Sequence, residues 1–265
     1  MGRLEYKYLI PENRLDEIRE YIRPYVKIDP YAKRTGDDQY TVKSIYFDTM
    51  SLDAYYNKLS GIKVRKKFRI RGYDAVRDDS LTFLEIKRKD VNVISKNRAP
   101  VLRANLKPLL NTGDIEAYVY TNNGVQDPAG QAMPFLYYYT RRDLRPAIKV
   151  IYDREAFVYK FDRNLRITFD KVLRSSLDTD ITSMGDESGT VKALKGHFIM
   201  EVKTFTRYPT WLRYLIAELD ITHEALSKYT ICINSHRRLG KRIHTNGVHL
   251  RDNKLRKTSR KEPQL

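Results

Sequence analysis

Three short segments of this sequence set charged side chains two residues apart. Residues 64–71 carry Arg69 and Arg71, residues 81–89 carry Glu85, Lys87 and Lys89, and residues 198–203 carry Glu201 and Lys203. In an extended strand, residues two apart share a face, so each set points one way. A guanidinium presents a planar fork that matches phosphate oxygens in pairs, and an ammonium adds a compact point charge. The triplet Glu-x-Lys occurs at Glu5-Tyr6-Lys7, Glu85-Ile86-Lys87 and Glu201-Val202-Lys203. Hard divalent cations prefer carboxylate and phosphate oxygens. A metal shared between protein carboxylate and substrate phosphate would offset charge and polarise phosphorus. If the strands turn these faces toward one another, they enclose a basic lumen with a few carboxylates, suited to a highly anionic guest. The plainer alternative is a solvated sheet face, with each glutamate paired to a neighbouring lysine. Like charges opposite each other on adjacent strands repel, so several cationic strands in one chain favour a neutralising guest.

The elements that must position these groups follow from periodicity. Residues 3–10 read as a strand with Arg3, Glu5 and Lys7 on one face, ended by Pro11. Residues 13–25 place Leu15, Ile18, Ile22 and Tyr25 at helical spacing. A strand is expected at 42–48, with Ser44, Tyr46 and Asp48 on one face, and a short helix over 51–60 with Gly61 just past its end. The cationic strands at 63–73 and 81–90 are joined by Arg77-Asp78-Asp79-Ser80. A helix is expected around 100–110, and 111–131 has loop chemistry. Strands are expected at 146–154, 156–161, 164–171 and 197–204, with a polar excursion at 174–192. Pro209 opens an amphipathic helix carrying Trp211, Leu212, Leu215, Ile216 and Leu219. A last strand is expected at 229–233. Without regular βαβ alternation, an antiparallel sheet or barrel with appended helices is favoured over a doubly wound fold, and barrel closure would remove sheet edges. Residues 1–234 read as one domain and 235–265 as a flexible basic tail.

The net charge of +17 over 265 residues calls for anionic partners. Residues 235–265 hold ten Lys/Arg and two acids, about half of the excess. Weak tail binding to nucleic acid or anionic membrane is therefore expected, and the remaining charge belongs to the folded part. Cys232 is the single cysteine, which excludes an internal disulfide and a cysteine-based zinc site. No P-loop motif is present, and the five histidines lack a metal spacing, most of them reading as surface or tail residues. Tyr137-Tyr138-Tyr139 reads as packing, and no RNA-recognition aromatic motif occurs. No apolar run approaches the roughly 18–20 residues of a transmembrane segment, and no apolar leader follows Met1. A cytoplasmic location is expected.

Taken in order, Glu5-Tyr6-Lys7-Tyr8-Leu9-Ile10, Ser44-Ile45-Tyr46-Phe47-Asp48-Thr49, Lys67-Phe68-Arg69-Ile70-Arg71, Phe83-Leu84-Glu85-Ile86-Lys87-Arg88-Lys89, Tyr152-Asp153-Arg154-Glu155-Ala156-Phe157, Leu165-Arg166-Ile167-Thr168-Phe169-Asp170, Met200-Glu201-Val202-Lys203 and Ser227-Lys228-Tyr229 resemble the VTC domain. This is the polyphosphate polymerase domain of the vacuolar transporter chaperone family, grouped with the triphosphate tunnel metalloenzymes and CYTH phosphatases. The likeness covers about residues 3–233. It implies an α+β fold: an antiparallel eight-stranded β-barrel tunnel with flanking helices. It also implies transfer of the ATP γ-phosphoryl group to a polyphosphate chain, with ATP and polyphosphate as partners and Mn²⁺ or Mg²⁺ as cofactor.

Positions matching the family's tunnel lining are Lys7, Arg69, Arg71, Lys87, Lys96, Tyr152, Arg154, Arg166, Ser227 and Lys228, and Glu201 matches its metal-holding glutamate. Of these, Lys7, Arg69, Arg71, Lys87, Arg154 and Lys228 are expected to be catalytic. Lys96, Tyr152, Arg166 and Ser227 are expected to bind substrate. The strand faces add Lys89 and Lys203 to the substrate contacts and Glu5 and Glu85 to the metal ligands. Two departures stand out: Arg3 replaces the first glutamate of the CYTH Glu-x-Glu-x-Lys signature, and Ala225 stands at a basic position. Two rival functions use the same lumen, a triphosphatase and a non-catalytic polyphosphate-binding protein.

Overall fold

The computed structural model describes residues 4–90, 93–122 and 124–238. One antiparallel sheet organises the chain. Its main path runs β1 (Leu4–Pro11), β10 (His197–Thr204), β8 (Arg166–Ser176), β7 (Arg145–Tyr159), β3 (Gln39–Asp48), β4 (Arg65–Tyr73), β5 (Leu81–Asp90) and β6 (Val93–Leu102). Two short strands, β2 (Val26–Ile28) and β9 (Val191–Lys192), pair with β7 and β8 and bring the sheet to ten strands. Among the described residues no ladder joins β1 to β6, so the sheet is open, not an eight-stranded closed barrel. It curls nonetheless. Lys87 of β5 lies 2.8 Å from Glu5 of β1, although these strands stand near opposite ends of the path. The seam is crossed by side chains where backbone pairing stops.

Period-two alternation explains the curl. Outward from β1, β10 and β8 point Tyr8, Ile10, Met200, Val202, Ile167 and Phe169, buried beneath α1 (Leu15–Ile22) and α7 (Thr210–Glu218). Outward from β3 to β6 point Ile45, Phe47, Phe68, Ile70, Leu84, Ile86, Ala99 and Val101, buried beneath α4 (Leu106–Thr112) and α6 (Pro128–Arg141). Each fully buried aliphatic or phenyl side chain contributes roughly 1.5–3 kcal/mol, so the outer faces hold the sheet and the inner faces are left for charge. The smaller helices are α2 (Pro30–Arg34), α3 (Asp53–Leu59) and α5 (Ile115–Tyr118).

Several expectations are corrected. Residues 229–233 are not a strand but part of α8 (Lys228–Arg238). Tyr229, Cys232, Ile233 and His236 recur at helical spacing, and all four are buried. His236 is thus a core residue rather than a surface one, its ring 3.0 Å from the Ser175 hydroxyl. The loop reading of 111–131 missed α5 and the start of α6, where Asp127 caps the helix through Gly130 and Pro128 occupies its first turn. The strands expected at 146–154 and 156–161 are one strand, β7 (Arg145–Tyr159), and a further strand, β6 (Val93–Leu102), holds Lys96 and Arg98. The polar excursion is pinned to the sheet. Lys43 Nζ donates to the Gly185 carbonyl at 2.7 Å and Lys149 Nζ to that of Ser183 at 3.1 Å, while Met184 is fully buried. Tyr138 and Tyr139 pack on the core, as expected, while Tyr137 is exposed. Arg3 and residues 239–265, most of the basic tail, lie outside the described residues.

Asp48, at the end of β3, ties three elements together. Its carboxylate accepts backbone N–H bonds from Thr49 (2.8 Å), Ala54 (2.9 Å) and Tyr55 (3.1 Å), so it caps the start of α3. It also accepts the Tyr229 hydroxyl at 2.6 Å, which fixes α8 against the sheet. Burial pushes this carboxyl above its usual range in spite of those four donors. Removing it strands a buried hydroxyl and the helix amides. Asp48→Ala is expected to cost about 3 kcal/mol and Tyr229→Phe about 1 kcal/mol, measured by urea unfolding.

Candidate functional site

The inner face of the curled sheet encloses a cavity of about 200 Å³. Its wall is built from β1 (Glu5, Lys7), β3 (Tyr46), β4 (Arg65, Lys67, Arg69, Arg71), β5 (Lys87, Lys89), β7 (Tyr152, Arg154) and β10 (Glu201, Lys203). Lys58 of α3, the 224–227 segment and Lys228 of α8 complete it. The lining therefore holds eleven Lys/Arg against three Glu, a charge balance that suits an anionic guest.

Two buried carboxylates organise the arginines from behind. Glu85, 1% exposed, accepts Arg69 through Nε at 2.7 Å and Nη2 at 2.6 Å, and lies 3.9 Å from Arg71, 3.9 Å from Lys96 and 3.6 Å from Arg98. Asp170 accepts Arg154 in fork geometry at 2.5 and 2.8 Å and Lys228 at 2.5 Å. Burial would raise both carboxyls. Arg69 and Arg71 for Glu85, and Arg154 and Lys228 for Asp170, outweigh it and hold both below the usual range. Tyr152 adds a polarisable wall, its hydroxyl 3.2 Å from Arg71 Nη2 and its ring under Arg154 and Lys228. Arg69 also donates to the Tyr46 hydroxyl at 2.9 Å.

Glu5 and Glu201 face the cavity itself. Glu201 lies 2.7 Å from Lys203, 3.8 Å from Lys228 and 3.9 Å from Arg154. Glu5 lies 3.0 Å from Lys7 and 2.8 Å from Lys87. Burial and Glu201 both raise the Glu5 carboxyl, but Lys7, Lys87 and Lys203 bring it down to about 2. Burial would likewise raise Glu201, but Lys203, Lys7, Lys228 and Arg154 hold it well below the carboxylate range. No group of three His, Cys, Asp or Glu converges among the described residues. Two carboxylates suit an ion that completes its oxygen shell from phosphate and water rather than a cage made by protein alone.

Twelve of the fifteen residues singled out in the sequence line this cavity: Lys7, Arg69, Arg71, Lys87, Arg154, Lys228, Lys89, Tyr152, Lys203, Ser227, Glu201 and Glu5. Three do not. Glu85 is buried behind the arginines. Lys96 stands beside it on β6, its side chain 46% exposed. Arg166 is held by Asp29 at 3.3 Å and the Tyr40 hydroxyl at 3.4 Å. Ala225 lies on the wall where a basic residue is expected. Sequence reading passed over Lys67, Arg65, Lys58, Tyr46 and Glu224. Lys67 and Arg65 share the strand face of Arg69, so the period-two rule finds them. Lys58 and Glu224 enter from outside the sheet and leave no such trace. Lys67 Nζ donates to Ser227 Oγ at 2.6 Å. Burial, then Lys7, Lys87, Arg65 and Lys58, push its ammonium well below the lysine range.

What the fold and cavity define is an α+β protein whose curved antiparallel sheet encloses a strongly cationic, carboxylate-poor space. The chain belongs to the VTC domain family, which it matches over residues 2–237. Its fold is similar to that of the PH1819 protein of Pyrococcus horikoshii OT3, with 16% identity, a TM-score of 0.44 and coverage of 87% of this chain and 98% of that one. It is similar to HpAC1 from Hippeastrum, a nominal adenylyl cyclase with a dominant triphosphatase activity, at 13% identity, TM-score 0.45, covering 94% and 100%. It is also similar to the Mimivirus capping enzyme triphosphatase, at 9% identity, TM-score 0.32, covering 82% and 86%. No described helix is long and apolar enough to cross a membrane.

Lys87 gives the cavity a pH dependence. Burial and repulsion from Lys7 lower its ammonium to about 8, against the attraction of Glu5 and Glu201. A bound polyanion favours the charged form, so affinity is full below about 8 and is lost as pH rises through it. Affinity for tripolyphosphate, measured by calorimetry, is expected to fall up to about tenfold from about pH 7 to about pH 9. Lys87→Arg keeps its charge and should flatten that fall.

Proposed function

We propose that the protein is a metal-dependent polyphosphate polymerase, transferring the γ-phosphoryl group of ATP to a growing polyphosphate chain within the cationic cavity. The observation that carries this reading is the convergence of Arg69, Arg71, Arg154, Lys7, Lys87 and Lys228 on one enclosed space with only Glu5 and Glu201 as facing strand carboxylates. A terminal oxygen of the chain attacks the γ-phosphorus, the bond to the β,γ-bridging oxygen breaks, and ADP leaves with that electron pair. The cations stabilise charge spreading over the transferring group, and confinement holds the reactants in line. Glu201 and Glu5 would hold Mn²⁺ or Mg²⁺, which when bound supplies further neutralisation of phosphate charge.

The carboxylates also favour a phosphate acceptor over water. A general base works best with a pKa near the operating pH. Glu5 at about 2, and Glu201 well below the usual range, are poor bases for activating water. A polyphosphate terminus is already anionic and needs no base. Burial and the repulsion of Lys7, Lys87, Arg65 and Lys58 lower the Lys67 ammonium, so this part of the wall gains most from a bound polyanion.

Purified protein with ATP and Mn²⁺ is expected to yield a ladder of long polyphosphate with ADP, resolved on gels. Free phosphate as the only product would replace the polymerase reading with a triphosphatase. Among the described residues Arg71 is fastened by hydrogen bonds to Ser44 at 3.3 Å and Tyr152, plus the longer contact to Glu85, so Arg71→Ala should keep the fold while lowering turnover roughly 100-fold. Glu201→Ala should abolish metal-dependent turnover. Tight polyphosphate binding without turnover, indifferent to that change, would mark a binding protein.

A further inference from the structure

The inner wall continues past the cavity. Lys203 and Arg154 line the cavity, and their cross-strand neighbours are Arg166 and Tyr40. Residues directly opposite each other share a face about 5 Å apart, so Arg166 is one step beyond Lys203 on the same wall. Its Nε is buried without a hydrogen-bond partner. Its Nη2 meets a carboxylate of the protein's own, Asp29 Oδ2, at 3.3 Å, and the Tyr40 hydroxyl at 3.4 Å. Asp29 is placed there by its backbone, whose N–H bonds the Ala156 carbonyl at 2.8 Å, and it caps α2 by accepting Tyr31 N–H at 3.0 Å. Tyr31 then packs edge-on against Tyr40, and its hydroxyl donates to Asp74 at 3.3 Å. A carboxylate is thus held over an arginine that otherwise extends the phosphate path, with one donor on that arginine still unused.

Resting on the polyphosphate reading, we infer that Asp29 is a chain-length specificity determinant: an internal carboxylate seated on Arg166, which only a polyphosphate long enough to run beyond the cavity displaces. A short triphosphate contained by Lys7, Arg69, Arg71, Lys87, Arg154 and Lys228 does not reach Arg166 and does not meet Asp29. A long chain does, and its affinity is reduced by the competition.

The test compares tripolyphosphate with long-chain polyphosphate by calorimetry, using wild type, Asp29→Asn and Arg166→Gln. Asparagine caps a helix as well as aspartate does, so Asp29→Asn removes the charge and keeps α2. Its affinity for the long chain should rise about two- to fivefold, the range expected for release of a partly exposed ion pair, with tripolyphosphate unchanged. Arg166→Gln should weaken the long chain alone. An unchanged long-chain affinity in Asp29→Asn, or an equal gain for both anions, overturns the inference while leaving the polyphosphate reading in place. A wild-type protein that binds neither anion overturns both.

Discussion

Everything in this structure depends on keeping many positive charges close together inside a folded protein. Two unit charges 4 Å apart repel by about 4 kcal/mol at the effective dielectric of a protein surface, and the cavity wall carries eleven Lys/Arg. A few carboxylates spread over many partners make this tolerable. Glu85 touches four cations, Glu201 three, and Asp170 and Glu5 two each. The compensation is incomplete, and the residue of uncompensated charge is concentrated at Lys67, Lys87 and their neighbours, where burial and mutual repulsion depress the ammonium groups. An anionic guest would supply what the protein omits.

This balance divides the carboxylates into two kinds. Glu85 and Asp170 lie behind the wall, locked by arginine forks, and their work is to aim Arg69 and Arg154. Glu5 and Glu201 lie at the wall, where a cation can be shared with the guest. The sequence motif Glu-x-Lys covers one of the first kind and both of the second. Identical spacing therefore hides a difference that only strand register reveals: Arg69 and Arg98 flank Glu85 directly on β4 and β6, whereas Glu5, on the end strand β1, is paired with Lys203 on one side and meets Lys87 across the seam on the other.

Most of the wall was legible in the sequence because a strand writes its two faces in alternate letters. Phe68 and Ile70 against Arg69 and Arg71, or Leu84 and Ile86 against Glu85 and Lys87, declare both the core side and the charged side. What resisted reading lacks that signature. The helix α8 carries β-branched Thr230, Ile231 and Ile233, which suit a strand locally, and only its burial on the sheet through Tyr229, Cys232, Ile233 and His236 selects the helix. In α6 the internal Pro134 obscured a pattern that tertiary packing of Phe135 supports. Whether the sheet closes is not written in any one strand, because it depends on whether β1 meets β6. The resemblance supplied the further positions, Lys96 and Arg166 among them, but not their distance from the cavity.

Stability and site are joined through α8. Lys228 in its first turn and Ser227 just before it line the cavity, and Ser227 caps the helix by accepting the Thr230 N–H at 3.3 Å. One residue further on, Tyr229 reaches the buried Asp48 that also caps α3, the helix that brings Lys58 to the rim. A single carboxylate thereby sets two helices whose ends complete a wall the sheet leaves unfinished. The open sheet is not a defective barrel on this view. It leaves room for helical segments to enter the lining and deliver cations at angles that strand geometry does not reach.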